Sequence, residues 1–118
     1  MNHDRCKTIL IIEDDRDICD ALEMVLGSEG YKVEIAQDRG MALKIIEEKA
    51  PHTVLMDYSM PGLSAEDFVR GMRELQCASD LVLMTAMGHA RQKARDLGIS
   101  KFLGKPFDIE QLLHVVEK

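Results

Sequence analysis

Long hydrophobic runs are missing from this chain of 118 residues. No stretch approaches the about eighteen consecutive apolar residues of a bilayer-spanning helix. The opening Met1-Asn-His-Asp-Arg-Cys-Lys7 is too polar and charged to lead an immediate secretion segment. Both absences predict a soluble, cytoplasmic protein with no membrane partner. Cysteine is scarce as well: Cys6, Cys19 and Cys77 are an odd set without C-x-x-C spacing, which argues against a disulfide framework and a thiolate metal site. His3, His52, His89 and His114 form no ligand cluster, and Met24, Met41, Met56, Met60, Met72, Met84 and Met87 read as adaptable packing residues.

An excess of positive charge is also lacking. A net charge of -6 is unfavourable for a domain that must hold a nucleic-acid backbone by itself, so no direct nucleic-acid contact is expected. The basic run His89, Arg91, Lys93 and Arg95 occupies alternate positions, which do not share one face of a helix. There is no internal repeat, low-complexity linker or composition break. A 46% apolar content at this length predicts one domain over 1-118 with one closed core and, with the last helix expected to reach Lys118, no second domain.

What is present is a regular alternation of two periodicities. Ile9 to Ile12 is a continuous apolar, largely β-branched run that fits a strand covered on both sides. Ile18, Leu22, Val25 and Leu26, with Ala21 beside them, recur at helical spacing until Gly27 and Gly30. Val33 to Ala36 is a second strand, followed by a helix over about 39 to 49 with Ala42, Ile45 and Ile46 inward and Pro51 after it. Thr53 to Met56 is the third strand. Pro61-Gly62 forces a loop before a helix with Ala65, Phe68, Met72 and Leu75 in one stripe and Val69 on its flank. Leu81 to Met84, closed by Thr85, is the fourth strand, followed by a short helix over about 88 to 97 that stops at Gly98. Ser100 to Leu103 is a weaker fifth strand. Ile109, Leu112, Leu113 and Val116 give the last helix its apolar face, with Asp108 as N-cap.

Five strands alternating with five helical patterns predict an α/β fold: a doubly wound parallel sheet covered on both faces. Right-handed crossovers place every strand exit on one edge, where such sheets build sites. The polar residues that follow the strands are Glu13, Asp14 and Asp15, then Asp57, Thr85 and Lys105. If the first and third strands are neighbours, their carboxylates share a pocket, and a hard divalent cation with oxygen ligands best relieves the repulsion.

Four segments carry a resemblance: Ile11-Ile-Glu-Asp-Asp15, Leu55-Met-Asp-Tyr-Ser-Met-Pro61, Met84-Thr-Ala86 and Lys105-Pro-Phe107. In this order, on successive strand exits, they resemble the receiver domain of bacterial two-component response regulators, and the chain is similar to single-domain chemotaxis-type regulators. The resemblance implies a flavodoxin-like five-stranded sheet in order 2-1-3-4-5 flanked by five helices. It assigns Asp57 as the acceptor of a phosphoryl group from a sensor histidine kinase or histidine phosphotransfer protein. Mg2+, for which Mn2+ can substitute, would contact Asp15 directly, Asp14 through water, Asp57, and the backbone carbonyl of Ser59, with Glu13 assisting charge balance. Thr85 and Lys105 would contact the phosphoryl group; Thr85 and Phe102 would form the switch, and the peptide before Pro106 is typically cis. A downstream protein would bind the surface of helix four, strand five and helix five. The resemblance implies self-catalysed phosphorylation and slow autodephosphorylation rather than ordinary turnover. Ala65, where the family usually has glycine, and the helix-four sequence depart from the pattern. Three alternatives stay open: a fragment of a larger regulator or hybrid kinase, a phosphorylation-independent interaction module, and a small metal-dependent phosphatase using Asp57.

Overall fold

The structure is a computed structural model that describes residues 7–117; the expectations for His3, Cys6 and Lys118 fall outside the described residues. Five parallel strands, β1 (Thr8–Ile12), β2 (Lys32–Ala36), β3 (Thr53–Asp57), β4 (Asp80–Ala86) and β5 (Lys101–Lys105), form one sheet in the order β2-β1-β3-β4-β5. The helices are α1 (Arg16–Ser28), α2 (Arg39–Lys49), α3 (Ala65–Glu74), α4 (Ala90–Leu97) and α5 (Ile109–Glu117), with a 3-10 turn at Met87–His89 before α4. Among the described residues, no helix is long and apolar enough to cross a membrane.

Side chains alternate faces along a strand, and that alternation divides the core in two. Leu10, Ile12, Val54, Met56 and Leu83 face a layer containing Ala42, Ile46, Phe68, Met72, Ala94 and Leu97 from α2, α3 and α4. Ile9, Ile11, Leu55, Val82, Met84 and Leu103 face Leu22 and Leu26 of α1 and Leu112 and Val116 of α5. Both faces of the central strands are covered, which is why their sequences read as continuous apolar runs rather than alternating ones.

Helix starts are set by short polar side chains. Asp38 Oδ1 accepts from Met41 N at 2.7 Å, and Ser64 Oγ accepts from Asp67 N at 3.0 Å. The expected Asp108 cap is present as a reciprocal pair: Asp108 Oδ1 accepts from Gln111 N at 2.8 Å, while Gln111 Oε1 accepts from Asp108 N at 2.9 Å. α4 has no side-chain cap and follows the 3-10 turn directly, so the helix expected over 88 to 97 begins later.

Three inward assignments are corrected. Ala21 is exposed, and Cys19 takes the buried position between Leu22 and the sheet end. Leu75 is the C-cap of α3 and Ile109 opens α5; both stand at helix ends and are exposed. Strands β3, β4 and β5 run one to two residues further than their apolar runs, so Asp57, Thr85 and Lys105 lie inside the ladder rather than after it.

Candidate functional site

Parallel register brings the ends of β1, β3, β4 and β5 to one edge. Ile12 pairs with Met56, Asp57 with Met84, Thr85 with Gly104 and Ala86 with Lys105. A cleft of about 610 Å³ on this edge is lined by Asp57, Ser59, Thr85, Ala86, Lys105, Pro106 and Phe107, with Ile18 of α1 at its side. Asp57 and Thr85 are each only 5% exposed, whereas Asp14 stands open to solvent. The Lys105–Pro106 peptide is cis.

Lys105 Nζ donates to Asp57 Oδ1 at 2.7 Å and lies 3.4 Å from Glu13 Oε1. Burial alone would lower the lysine pKa, but the hydrogen bond to Asp57, the Asp57 charge and the Glu13 charge outweigh it and raise it. Glu13, 2% exposed, is held above the ordinary glutamate value first by burial and then by the neighbouring charge of Asp57. One cation thus serves two buried carboxylates. The cleft has a deficit of positive charge.

Carboxylate oxygens of Glu13, Asp14 and Asp57 all lie within 4.8 Å of one another. An all-oxygen set of this kind suits a hard divalent cation such as Mg2+ and offers nothing to a soft metal. Asp15, expected as the direct contact, is not in this group. It is the N-cap of α1, with Oδ1 accepting from Asp17 N at 2.9 Å and Ile18 N at 3.2 Å. The reason is position: Glu13 and Asp14 leave the strand toward the cleft, whereas Asp15 stands where the first helical amide groups need an acceptor. The inward glutamate is fixed by Asp15 N, which donates to Glu13 Oε2 at 3.2 Å, and by Glu13 N, which donates to Ala36 O at 3.1 Å.

Phe102, on β5, is 36% exposed, and its ring faces the Arg91 guanidinium 5.9 Å from the centroid. Lys93 instead reaches the Tyr58 ring at 4.3 Å. The basic residues of α4 therefore go to different sides, as their alternate spacing implies.

Arg39 went unnoticed in the sequence. It is 2% exposed; Nη1 donates to Leu63 O at 2.7 Å, and Nη2 to Asp57 O at 2.9 Å and Tyr58 O at 2.7 Å. Burial lowers its pKa. The available signal was local: Arg39 follows the capping Asp38 at the first position of α2, in a first turn with no acid, where the helix dipole disfavours a cation. A cation placed there needs acceptors from elsewhere.

Comparison with known proteins places this arrangement. The family model "Response regulator receiver domain" matches residues 9–117. The response regulator MprA of Mycobacterium sp. (strain KMS) is 34% identical over 107 residues, 89% of this chain and 46% of the relative. The sporulation initiation phosphotransferase F of Bacillus subtilis is 31% identical over 112 residues, 93% of this chain and 90% of the relative. Among solved structures, the receiver domain of sensor histidine kinase PA1611 from Pseudomonas aeruginosa, with a magnesium ion coordinated in its active-site cleft, superposes with a TM-score of 0.84 at 26% identity over 95% of both chains. The chain spans about half the length of the MprA-type relatives that it matches.

Proposed function

The chain belongs to the response regulator receiver domain family, and from that premise we propose that it accepts a phosphoryl group on Asp57 from a phosphohistidine and thereby changes a protein-binding surface. The observation that carries this reading is the 2.7 Å contact of Lys105 Nζ with Asp57 Oδ1, in one cleft with Thr85 and beside the Glu13 and Asp14 carboxylates.

The chemistry is an exchange of bonds at phosphorus. A carboxylate oxygen of Asp57 attacks, the P–N bond to the donor imidazole breaks, and the nitrogen leaves with the bonding pair and takes a proton. Asp57 is held in place by the ladder, while Lys105 neutralises charge on the transferred oxygens and the Thr85 hydroxyl donates to one of them. Asp14, Asp57, Glu13 and the Ser59 carbonyl would hold Mg2+, which supplies further neutralisation of the phosphoryl oxygens. Asp15 serves this site through α1, as its cap.

Switching requires contacts that differ between two packings of the chain. When Thr85 is drawn to the phosphoryl group, it vacates space beside β5 that Phe102 can fill, releasing its ring from Arg91. The readout is then the face of α4, β5 and α5, read by a downstream protein. Likeness to the phosphotransferase of Bacillus subtilis, nine-tenths of which this chain covers, favours a second output, onward transfer of the phosphoryl group to another histidine.

Incubation with Mg2+ and a small phosphodonor is expected to add one acid-stable, base-labile phosphoryl group to the protein and none to Asp57→Ala, read by intact mass. An unchanged mass in folded wild-type protein, with a donor shown to be active, would overturn the reading.

A further inference from the structure

Arg39 is among the largest fully buried side chains of the molecule, and the phosphoryl transfer outlined above does not use it. Its environment is that of a clamp. The three acceptors are carbonyls of Asp57, Tyr58 and Leu63, which bracket Ser59 from both sides along the β3-α3 loop. A guanidinium is a rigid planar fork, so donating to all three fixes their relative positions in a way that a flexible ammonium cannot. Its remaining nitrogen, Nε, is buried without an acceptor among the described residues. The side chain is therefore placed to suit the loop, at the expense of its own hydrogen bonding.

We infer that Arg39 is a positioning residue for cation binding: by clamping the main chain on both sides of Ser59, it holds the Ser59 carbonyl and the Asp57 carboxylate at the separation that Mg2+ requires. This rests on the receiver reading of the cleft. The two properties of Arg39 have opposite signs for the bound cation. Its positive charge repels Mg2+, so loss of charge alone tightens binding; loss of the clamp weakens it.

Calorimetric Mg2+ titration of wild type, Arg39→Met and Arg39→Lys separates them, together with the dependence of phosphorylation rate on Mg2+ concentration using a small phosphodonor. In Arg39→Met the Mg2+ dissociation constant is expected to rise by about tenfold or more, as for other residues that orient a metal ligand. The Mg2+ concentration for half-maximal phosphorylation rises in step, while the rate at saturating Mg2+ stays within about threefold of wild type, the pattern of lost binding rather than lost chemistry. Arg39→Lys, which keeps the repelling charge without the fork, is expected to weaken Mg2+ binding at least as much as Arg39→Met. Folded Arg39→Met with unchanged or tighter Mg2+ binding overturns the inference, as does a fall in saturated rate at unchanged affinity. If Arg39→Met does not fold, Arg39→Lys decides: weaker Mg2+ binding supports the clamp, and unchanged binding overturns it. Wild-type protein that neither binds Mg2+ nor takes a phosphoryl group defeats the receiver reading itself, whereas active wild type with unaltered variants defeats only the role of Arg39.

Discussion

Glu13 and Asp57 are buried side by side and share one lysine, Lys105, so the fold sets two carboxyl groups against a single cation. Because the folded-state pKa of Glu13 is raised, the native protein holds that proton where the unfolded chain has released it. Stability then falls as pH rises from the ordinary glutamate range through the raised value. Lys105, also raised, contributes fully at neutral pH and loses its contribution only above the ordinary lysine range. Glu13→Gln is therefore expected to raise the Tm of the cation-free protein at neutral pH and to leave it little changed well below the ordinary glutamate range. Thermal melts at the two pH values check this, and an equal offset at both contradicts the electrostatic account. At this scale the convergence of Asp57, Thr85 and Lys105 on one cleft was legible, because each polar residue comes at or just after the end of an apolar strand run. For Arg39 the local sequence offered only a cation in an unfavourable first turn; its acceptors, backbone carbonyls 18, 19 and 24 positions along the chain, are set by the fold.

Among elements, α1 shows how a run of three acids divides its work. Past the end of β1 the strand alternation no longer applies, and the first free amide groups of the helix take one acid as cap, so sequence order alone did not reveal that Asp15 would fill that place. The two roles separate by substitution. Asp15→Asn keeps a capping oxygen and is expected to preserve both stability and Mg2+ affinity, while Asp15→Ala costs about 1 kcal/mol of stability with Mg2+ affinity nearly unchanged. Denaturant unfolding and Mg2+ titration of the pair provide the check; a large loss of Mg2+ affinity in Asp15→Asn would restore it as a principal ligand. Helical periodicity located all five helices but overextended their apolar faces to Leu75 and Ile109, which stand exposed at helix ends. Strand ends were underestimated for the converse reason. Backbone pairing continues through Asp57, Thr85 and Lys105 after the hydrophobic signal has stopped.

For the whole molecule, parallel topology gathers the acids of two strands at one edge of a chain already carrying a net charge of -6. A cation that binds only the folded state stabilises it by mass action, by about 2.7 kcal/mol at a hundred times its dissociation constant. Mg2+ is expected to raise the Tm of wild type accordingly and to do so far less in Asp57→Ala; equal shifts in both would mean that the cation binds elsewhere. The alternation of strand and helix made a doubly wound parallel sheet legible, whereas its order was implied by the resemblance that the family motifs carry. The same topology has an optical consequence. With no tryptophan, ultraviolet emission rests on two tyrosines: Tyr31 precedes β2 on one rim of the sheet, and Tyr58 follows Asp57 on the other. Lys93 Nζ lies 4.3 Å from the Tyr58 ring, and Arg39 holds the carbonyl of the same residue. Tyr58, between the cleft residues Asp57 and Ser59, is thus the intrinsic fluorophore nearer the cleft, and its emission is expected to change when the site is occupied, with Tyr31 as the reference.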